Sequence, residues 1–454
     1  MQSDDLATAL AYLRPLIGET ADALWLAALV DPTSSADVLA IAQALSAQLL
    51  GQTYSSEQIL LLPPDKLDAG GDYPLGWVMY AGKPRCSFGL RDLELSQHIA
   101  ILGRSGAGKS NVAYLLAWNL LRHGKPFMVL DWRRNYAHLA RRPEGRSLVT
   151  LGIGTPKQIA FNPLLASPLL GKVERQAYLR ELISALCNAC LPGPHLLSTR
   201  GAEHLLMKGI QELSAQHTEP LTFNDVRAWL NAYKARSREV DWKVSATSVL
   251  TRLTTGPLGQ VFNADAYGTL SDLLHRSVIL EIDALGNQAD RAAFVNALLL
   301  WLYYHRLAEG RSQRCKHVLF IEEAHHCFLR HPHGHHSLPE LMLRQMRDLG
   351  QALVLIDQNP SLLSVPALGN TATTVCLNLN HADDVDTAGR ALTLPEEQRH
   401  YIGRLQVGEA IVKLPRAHLA PFVVRFPRFP TCEALVPVPE KTSLLRTRFP
   451  QRPH

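Results

Sequence analysis

No run of apolar residues in this 454-residue chain is long enough to span a membrane. The longest candidate, AAFVNALLLWLYY (292–304), is short, contains an Asn and is flanked by Arg291 and His305, so it reads as a core helix. The opening MQSDDLATAL has no positively charged stretch ahead of an apolar one, which argues against a secretory signal. Cysteine is sparse and irregular, with seven at 86, 187, 190, 315, 327, 376 and 432; an odd, scattered set argues against a disulfide framework. Cys187 and Cys190 form a lone CxxC inside ELISALCNACL, and no second pair completes four zinc ligands, so they read as small core residues. Neither sign of charge dominates: a formal +5 is compatible with a polyanionic partner without demonstrating one. No internal repeat is visible, and the seven tryptophans form no stacking array of the kind that binds single strands. With 46% hydrophobic and 19% charged residues, the composition is that of an ordinary globular protein, expected to be soluble and cytoplasmic.

What is present is an alternation of apolar strands and helices. Residues 1–62 read as a helical N-terminal segment: Leu6, Leu10, Leu13 and Ile17 share one helical face, and Leu39, Ala42, Leu45 and Leu49 repeat the pattern. Residues 63–75, containing PPDKLDAGGDYP, read as a linker rich in Pro, Gly and Asp. AILG (100–103), PFMVLD (126–131), SVILEID (277–283), HVLFIE (317–322) and ALVLID (352–357) are short apolar runs suited to a parallel sheet covered on both faces. TVCLNL (374–379), EAIVKL (409–414) and PFVVRF (421–426) are shorter strands. No strand pattern interrupts 164–270, which reads as a helical insertion between the first part of the sheet domain (76–163) and the second (271–426). Residues 427–454, rich in Pro and Arg, read as an extended or disordered arm.

The strongest motif is Gly103-Arg104-Ser105-Gly106-Ala107-Gly108-Lys109-Ser110, a complete G-x-x-x-x-G-K-[ST] P-loop. It follows an apolar strand and opens a helix, the context that separates it from a chance glycine-rich turn. The glycines let backbone N–H groups face phosphate oxygens, and the helix N-terminus adds its positive dipole end. Lys109 is placed for the β and γ phosphates and the Ser110 hydroxyl for Mg²⁺. With Asn111 behind the motif, these nine residues are the expected nucleotide site. Binding alone does not hydrolyse, and HVLFIEEAHHCF (317–328) supplies the second half. Glu322 closes the strand and is expected to support Mg²⁺ through water. Glu323 follows, is expected to point elsewhere as successive strand residues do, and is placed to act as general base. Without a P-loop, a solvated strand end would be the simpler reading.

With these motifs in place the chain resembles the HerA–FtsK superfamily of ATPases, and most of all its HerA branch. FMVLDWRRNY resembles the family's second strand end, FNPL (161–164) its entry to a helical lid, FIEEAHH its Walker B element, and MLRQMRDLGQALVLIDQNPSLL (342–363) its arginine-finger and sensor region. NTATTVCLNLNHADDVDTAG (370–389) and LQVGEAIVKL (405–414) resemble its closing elements, so the likeness runs over about 75–426. The resemblance implies an α/β, RecA-like core with a mainly parallel sheet, using ATP and Mg²⁺. It adds Asp131 and Gln358 to the catalytic set and Arg347 as a finger acting on a neighbouring subunit, with Arg344 as second choice. A finger in trans implies a homo-oligomer, in this family a hexameric ring. The family's activity implies a motor on double-stranded DNA, working with a nuclease or other effector in DNA processing or phage defence. An ATP-regulated ring scaffold and a secretion-type ATPase stay open beside it. HerA proteins usually carry a small N-terminal β-barrel, where this chain reads as helical. FtsK translocases and conjugative coupling proteins usually carry membrane helices.

Two features stand outside the motifs. HHCFLRHPHGHHS (325–337) holds six histidines and reads as an exposed loop rather than a metal site, with His325 a candidate to position Glu323. Arg133, Arg134, Arg141 and Arg142 follow the second strand and read either as solvated charges or as contacts to DNA or nucleotide.

Overall fold

The apolar runs assemble into one sheet. In the computed structural model, which describes residues 2–31, 35–50, 60–141, 143–191, 196–216, 220–263, 269–330, 338–415 and 420–429, the strands are β1 Tyr73–Tyr80, β2 Lys83–Leu90, β3 Ile99–Leu102, β4 Phe127–Asp131, β5 Val149–Gly152, β6 Ser277–Glu281, β7 His317–Glu322, β8 Gln351–Asp357, β9 Thr373–Cys376, β10 Glu409–Lys413 and β11 Phe422–Arg425. They are ordered β2-β1-β11-β10-β9-β3-β8-β7-β4-β6-β5. From β9 to β5 all neighbours are parallel, and β10, β11, β1 and β2 extend the sheet with antiparallel pairings. The hairpin joining β1 to β2 turns through Ala81 and Gly82, both at positive φ (48° and 72°), as a tight two-residue connection requires.

Both faces of the parallel part are covered, which explains strands without polar alternation. Along β4, Phe127 and Val129 enter one core and Met128 and Leu130 the other; along β7, Val318 and Phe320 oppose Leu319 and Ile321. The first core packs on the helix that follows the P-loop. The second packs on the inserted helices Lys172–Cys190, Leu196–Gln216, Phe223–Ala232 and Glu239–Thr254 and on the long helix Gln288–Glu309. Cys187 and Cys190 lie buried there, where desolvation raises both thiols.

Helices α1 (Gln2–Ile17), α2 (Glu19–Val30) and α3 (Ser35–Leu49) form a unit with its own small core of Leu6, Leu10, Leu13, Ala21, Val38 and Ala42. Two local features depart from the sequence reading. Residues 63–75 hold a short helix, α4 (Lys66–Ala69), and the start of β1. Strand β5 was not expected: VTLG is only four residues long and half-exposed at the sheet edge, too short to print a pattern. Of the C-terminal arm, only 427–429 falls within the described residues. No helix among the described residues is long and apolar enough to cross a membrane.

Candidate active site

Parallel α/β sheets leave their ligand crevice at the carboxyl ends of the strands, and here β3, β4, β7 and β8 end around one cavity. Short helix α5 (Asp92–Ser96) precedes β3, and α6 (Lys109–Arg122) leaves the P-loop. The cavity, about 230 Å³, is lined by Ser105, Gly106, Gly108, Lys109, Ser110 and Asn111 on one side and by Arg133, Asn135, Glu322, Glu323 and Gln358 on the other. Gly106 (φ 80°) and Gly108 (φ 113°) occupy backbone conformations that side chains resist, and these let the loop curl. The Lys109 ammonium folds back onto the carbonyl oxygens of Gly103 (2.7 Å) and Arg104 (3.1 Å). Three members of the motif do not line the cavity. Ala107 is buried in the core, Gly103 packs on Leu377, and Arg104 ties the loop to the segment after β9 through Asn378 (2.6 Å). Asn111 borders the cavity, but its amide is engaged on both atoms, donating to Pro427 O (2.8 Å) and accepting from Phe429 N–H (2.7 Å). The sequence reading gave Asn111 to the nucleotide alone; it also fastens the C-terminal segment to α6.

Glu322 is buried at the end of β7. Desolvation, and then the neighbouring charge of Asp131, push its carboxyl up to about 7, against the pull of the Tyr136 hydroxyl. Its backbone carbonyl accepts the indole N–H of Trp132 (2.8 Å). The sign of the shift predicts a stability effect. Between pH 4.5, the ordinary value, and about 7 the folded chain holds a proton the unfolded chain releases, so the penalty of this buried charge sets in as pH rises. Each unit is about 1.4 kcal/mol. Glu322→Gln is therefore expected to resist urea better than the parent at pH 8, by up to a few kcal/mol, and equally at pH 4 with a chelator present. An equal difference at both pH values would contradict the burial argument.

Glu323 corrects an expectation. It does not turn away from the cavity: its φ of +47° reverses the chain after the strand and returns the carboxylate to the side of Glu322. There Oε1 accepts from Arg133 Nη2 (2.8 Å) and from the Gln358 amide. Asp131, grouped above with the catalytic residues, is also placed differently. It is fully buried behind the cavity, and its two oxygens accept the N–H groups of Arg133 and Tyr136 (both 3.0 Å). These hydrogen bonds build the turn that carries Arg133 and Asn135. Arg344 and Arg347 lie outside this cavity; both are exposed, and Arg347 (56% exposed) stands 3.9 Å from Asp348.

The sequence reading missed Asp357. Fully buried at the end of β8, it accepts the N–H groups of His325 (2.7 Å) and Asn359 (2.8 Å) and the His325 ring Nδ1 (3.0 Å). The signal was present, since ALVLID ends in an acid as FMVLD does. His325 is thus held by Asp357, whose hydrogen bond raises the imidazole, and stands 3.9 Å from Glu323 Oε2. His326 turns the other way. It meets the edge of Trp132 and the Arg291 guanidinium, and burial lowers it to about 4. The remaining histidines of the run, 331–336, lie outside the described residues. Asp357→Ala removes the acceptor of the hydrogen bonds from His325 and Asn359, each worth about 0.5–1.5 kcal/mol. A clear fall in the urea midpoint is expected, and an unchanged midpoint would contradict this hub.

The donor set suits a hard divalent cation. The Ser110 hydroxyl and the Glu322 carboxylate face one cavity beside Lys109 and offer oxygen ligands only, as Mg²⁺ prefers.

A parallel sheet with a curled phosphate loop opening a helix, and acids at the ends of the adjacent strands, defines a P-loop ATPase of RecA-like architecture. Residues 74–170, from β1 through the P-loop to beyond β5, match the family described as Helicase HerA, central domain. Solved structures share the fold. The unbound bacterial conjugative coupling protein TrwB (ΔN70 form) matches with 15% identity over 84% of this chain and 91% of its own, at a TM-score of 0.56. VirB4 of Thermoanaerobacter pseudethanolicus matches with 16% identity over 80% and 98%, at 0.57. The plasmid coupling protein TrwB in complex with ADP and Mg²⁺ matches with 16% identity over 84% and 92%, at 0.56. No curated protein matches the sequence significantly. Residues 74–170 thus match the central domain of HerA, and the chain shares its fold with these proteins.

Proposed function

We propose that this chain hydrolyses ATP at the cavity between the P-loop and the ends of β7 and β8, and that it does so as one subunit of a hexameric ring moving double-stranded DNA in concert with a nuclease or other effector. The observation that carries the hydrolytic reading is the meeting of Lys109 and Ser110 with Glu322, Glu323 and Gln358 around one cavity. The loop N–H groups and Lys109 would hold the phosphates. Ser110 and Glu322 would hold Mg²⁺, which when bound neutralises charge on the transferred phosphoryl group. Glu323 would accept the proton of a water as its oxygen bonds to the γ-phosphorus; the bond to the ADP oxygen breaks, and phosphate leaves. Gln358, already bonded to Glu323, would align that carboxylate and sense the γ-phosphate.

The ring, the DNA and the effector rest on the resemblance to the HerA–FtsK superfamily, the two exposed arginines and the mildly basic charge of the chain. TrwB, with which the fold is shared, is described as a plasmid coupling protein, and VirB4 shares the fold equally. Duplex DNA is expected to stimulate ATP turnover, with the stimulation falling steeply as salt rises because phosphate contacts release counterions. Turnover that ignores duplex DNA at low salt but responds to a protein partner would favour the ring scaffold or the secretion-type ATPase instead.

A further inference from the structure

We propose that Arg133 restrains the general base and that the γ-phosphate of ATP removes the restraint, by competing with Glu323 for the same guanidinium. This rests on the reading of Glu323 as the base. Four observations meet at this residue. Arg133 Nη2 lies 2.8 Å from Glu323 Oε1, and the Gln358 amide donates to the same oxygen, so one of the two carboxylate oxygens that can take a proton from water already carries two donors. Arg133 lines the phosphate cavity opposite Lys109, and these two are its lining cations among the described residues. Its backbone is pinned, since its N–H donates to buried Asp131, and Arg134 beside it is anchored to Asp283 (3.0 Å) and Glu281 (3.7 Å). Its side chain is 58% exposed, and a half-exposed ion pair is weak.

A fixed backbone with a loosely held guanidinium is suited to exchange partners. A triphosphate in the cavity presents more negative charge than one carboxylate, and its γ-oxygens accept from a guanidinium in a two-pronged geometry. Transfer of Arg133 to the phosphate frees Glu323 Oε1 for water while Gln358 keeps the carboxylate aligned. ADP lacks the γ-phosphate and leaves the pair closed. Arg133 is in this account a positioning residue that couples the presence of the third phosphate to the readiness of the base. The sequence left it among arginines that are either solvated or in contact with DNA or nucleotide, and its place in the phosphate cavity favours nucleotide.

A double-mutant cycle on the full-length protein tests the competition. The readout is the Kd for ADP and for a non-hydrolysable ATP analogue, each with Mg²⁺. Arg133→Ala is expected to weaken the analogue about tenfold, the range of a lost charged hydrogen bond, and to leave ADP unchanged. Glu323→Ala is expected to tighten the analogue by about two- to fivefold, the range of an exposed ion pair, because Arg133 no longer has a competitor. In the double variant that tightening should disappear. If it persists without Arg133, it is general relief of negative charge and the proposal is overturned. An Arg133→Ala protein with unchanged analogue affinity overturns it as well. Failure of the base reading is seen separately, as undiminished ATP turnover in Glu323→Gln, because the binding cycle involves no hydrolysis.

Discussion

Glu323→Gln is expected to bind ATP with near-parental affinity and to hydrolyse it about 10²- to 10⁴-fold more slowly, the span usually lost with a general base. The substitution preserves the size of the side chain and its ability to accept from Arg133 and Gln358, so the turn after β7 should stand. What it removes is the capacity to take a proton. Single-turnover phosphate release compared with equilibrium binding separates the two effects. Near-parental release would move the base elsewhere, and among the described residues lining this cavity the other carboxylate is Glu322.

The second large effect concerns subunits rather than one chain. Arg347 stands on the turn between helix Leu338–Met346 and β8, exposed and outside its own cavity, where a neighbour's nucleotide could meet it. An arginine finger contributes on the order of 10³ to 10⁵ in rate. Arg347→Ala alone and Lys109→Ala alone should each be nearly inactive. Mixed together, the first supplies intact phosphate sites and the second supplies intact fingers, so part of the ATP turnover should return. No recovery on mixing would mean that Arg344 carries the role or that the site is complete within one chain.

How much of this was legible in the sequence depends on the range of each interaction. The P-loop was legible because strand, glycines and helix start are contiguous, and the loop curls through local φ angles. Glu322 was legible as the end of an apolar run. Glu323 was legible as a candidate base but not in direction, since alternation along a strand says nothing once a residue adopts a left-handed φ. The partners that define its chemistry, Arg133 and Gln358, lie 190 and 35 residues away, and no spacing rule joins them. The same applies to Asn111, whose clasp on Phe429 spans 318 residues. Asp131 and Asp357 show the converse limit. Both close parallel strands with the same pattern, yet only packing reveals that each spends oxygens on backbone N–H groups, Asp357 on the His325 ring as well, and so shapes the loops beside the cavity. Edge strand β5 escaped because a four-residue, half-exposed strand carries almost no hydrophobic signal.

The claim on which the rest depends is that this cavity hydrolyses ATP with Lys109 and a divalent cation. Phosphate release from ATP by the purified full-length chain tests it most directly. The account predicts release in Mg²⁺ that stops in a chelator and is abolished by Lys109→Ala. Release that continues unchanged in Lys109→Ala would contradict it.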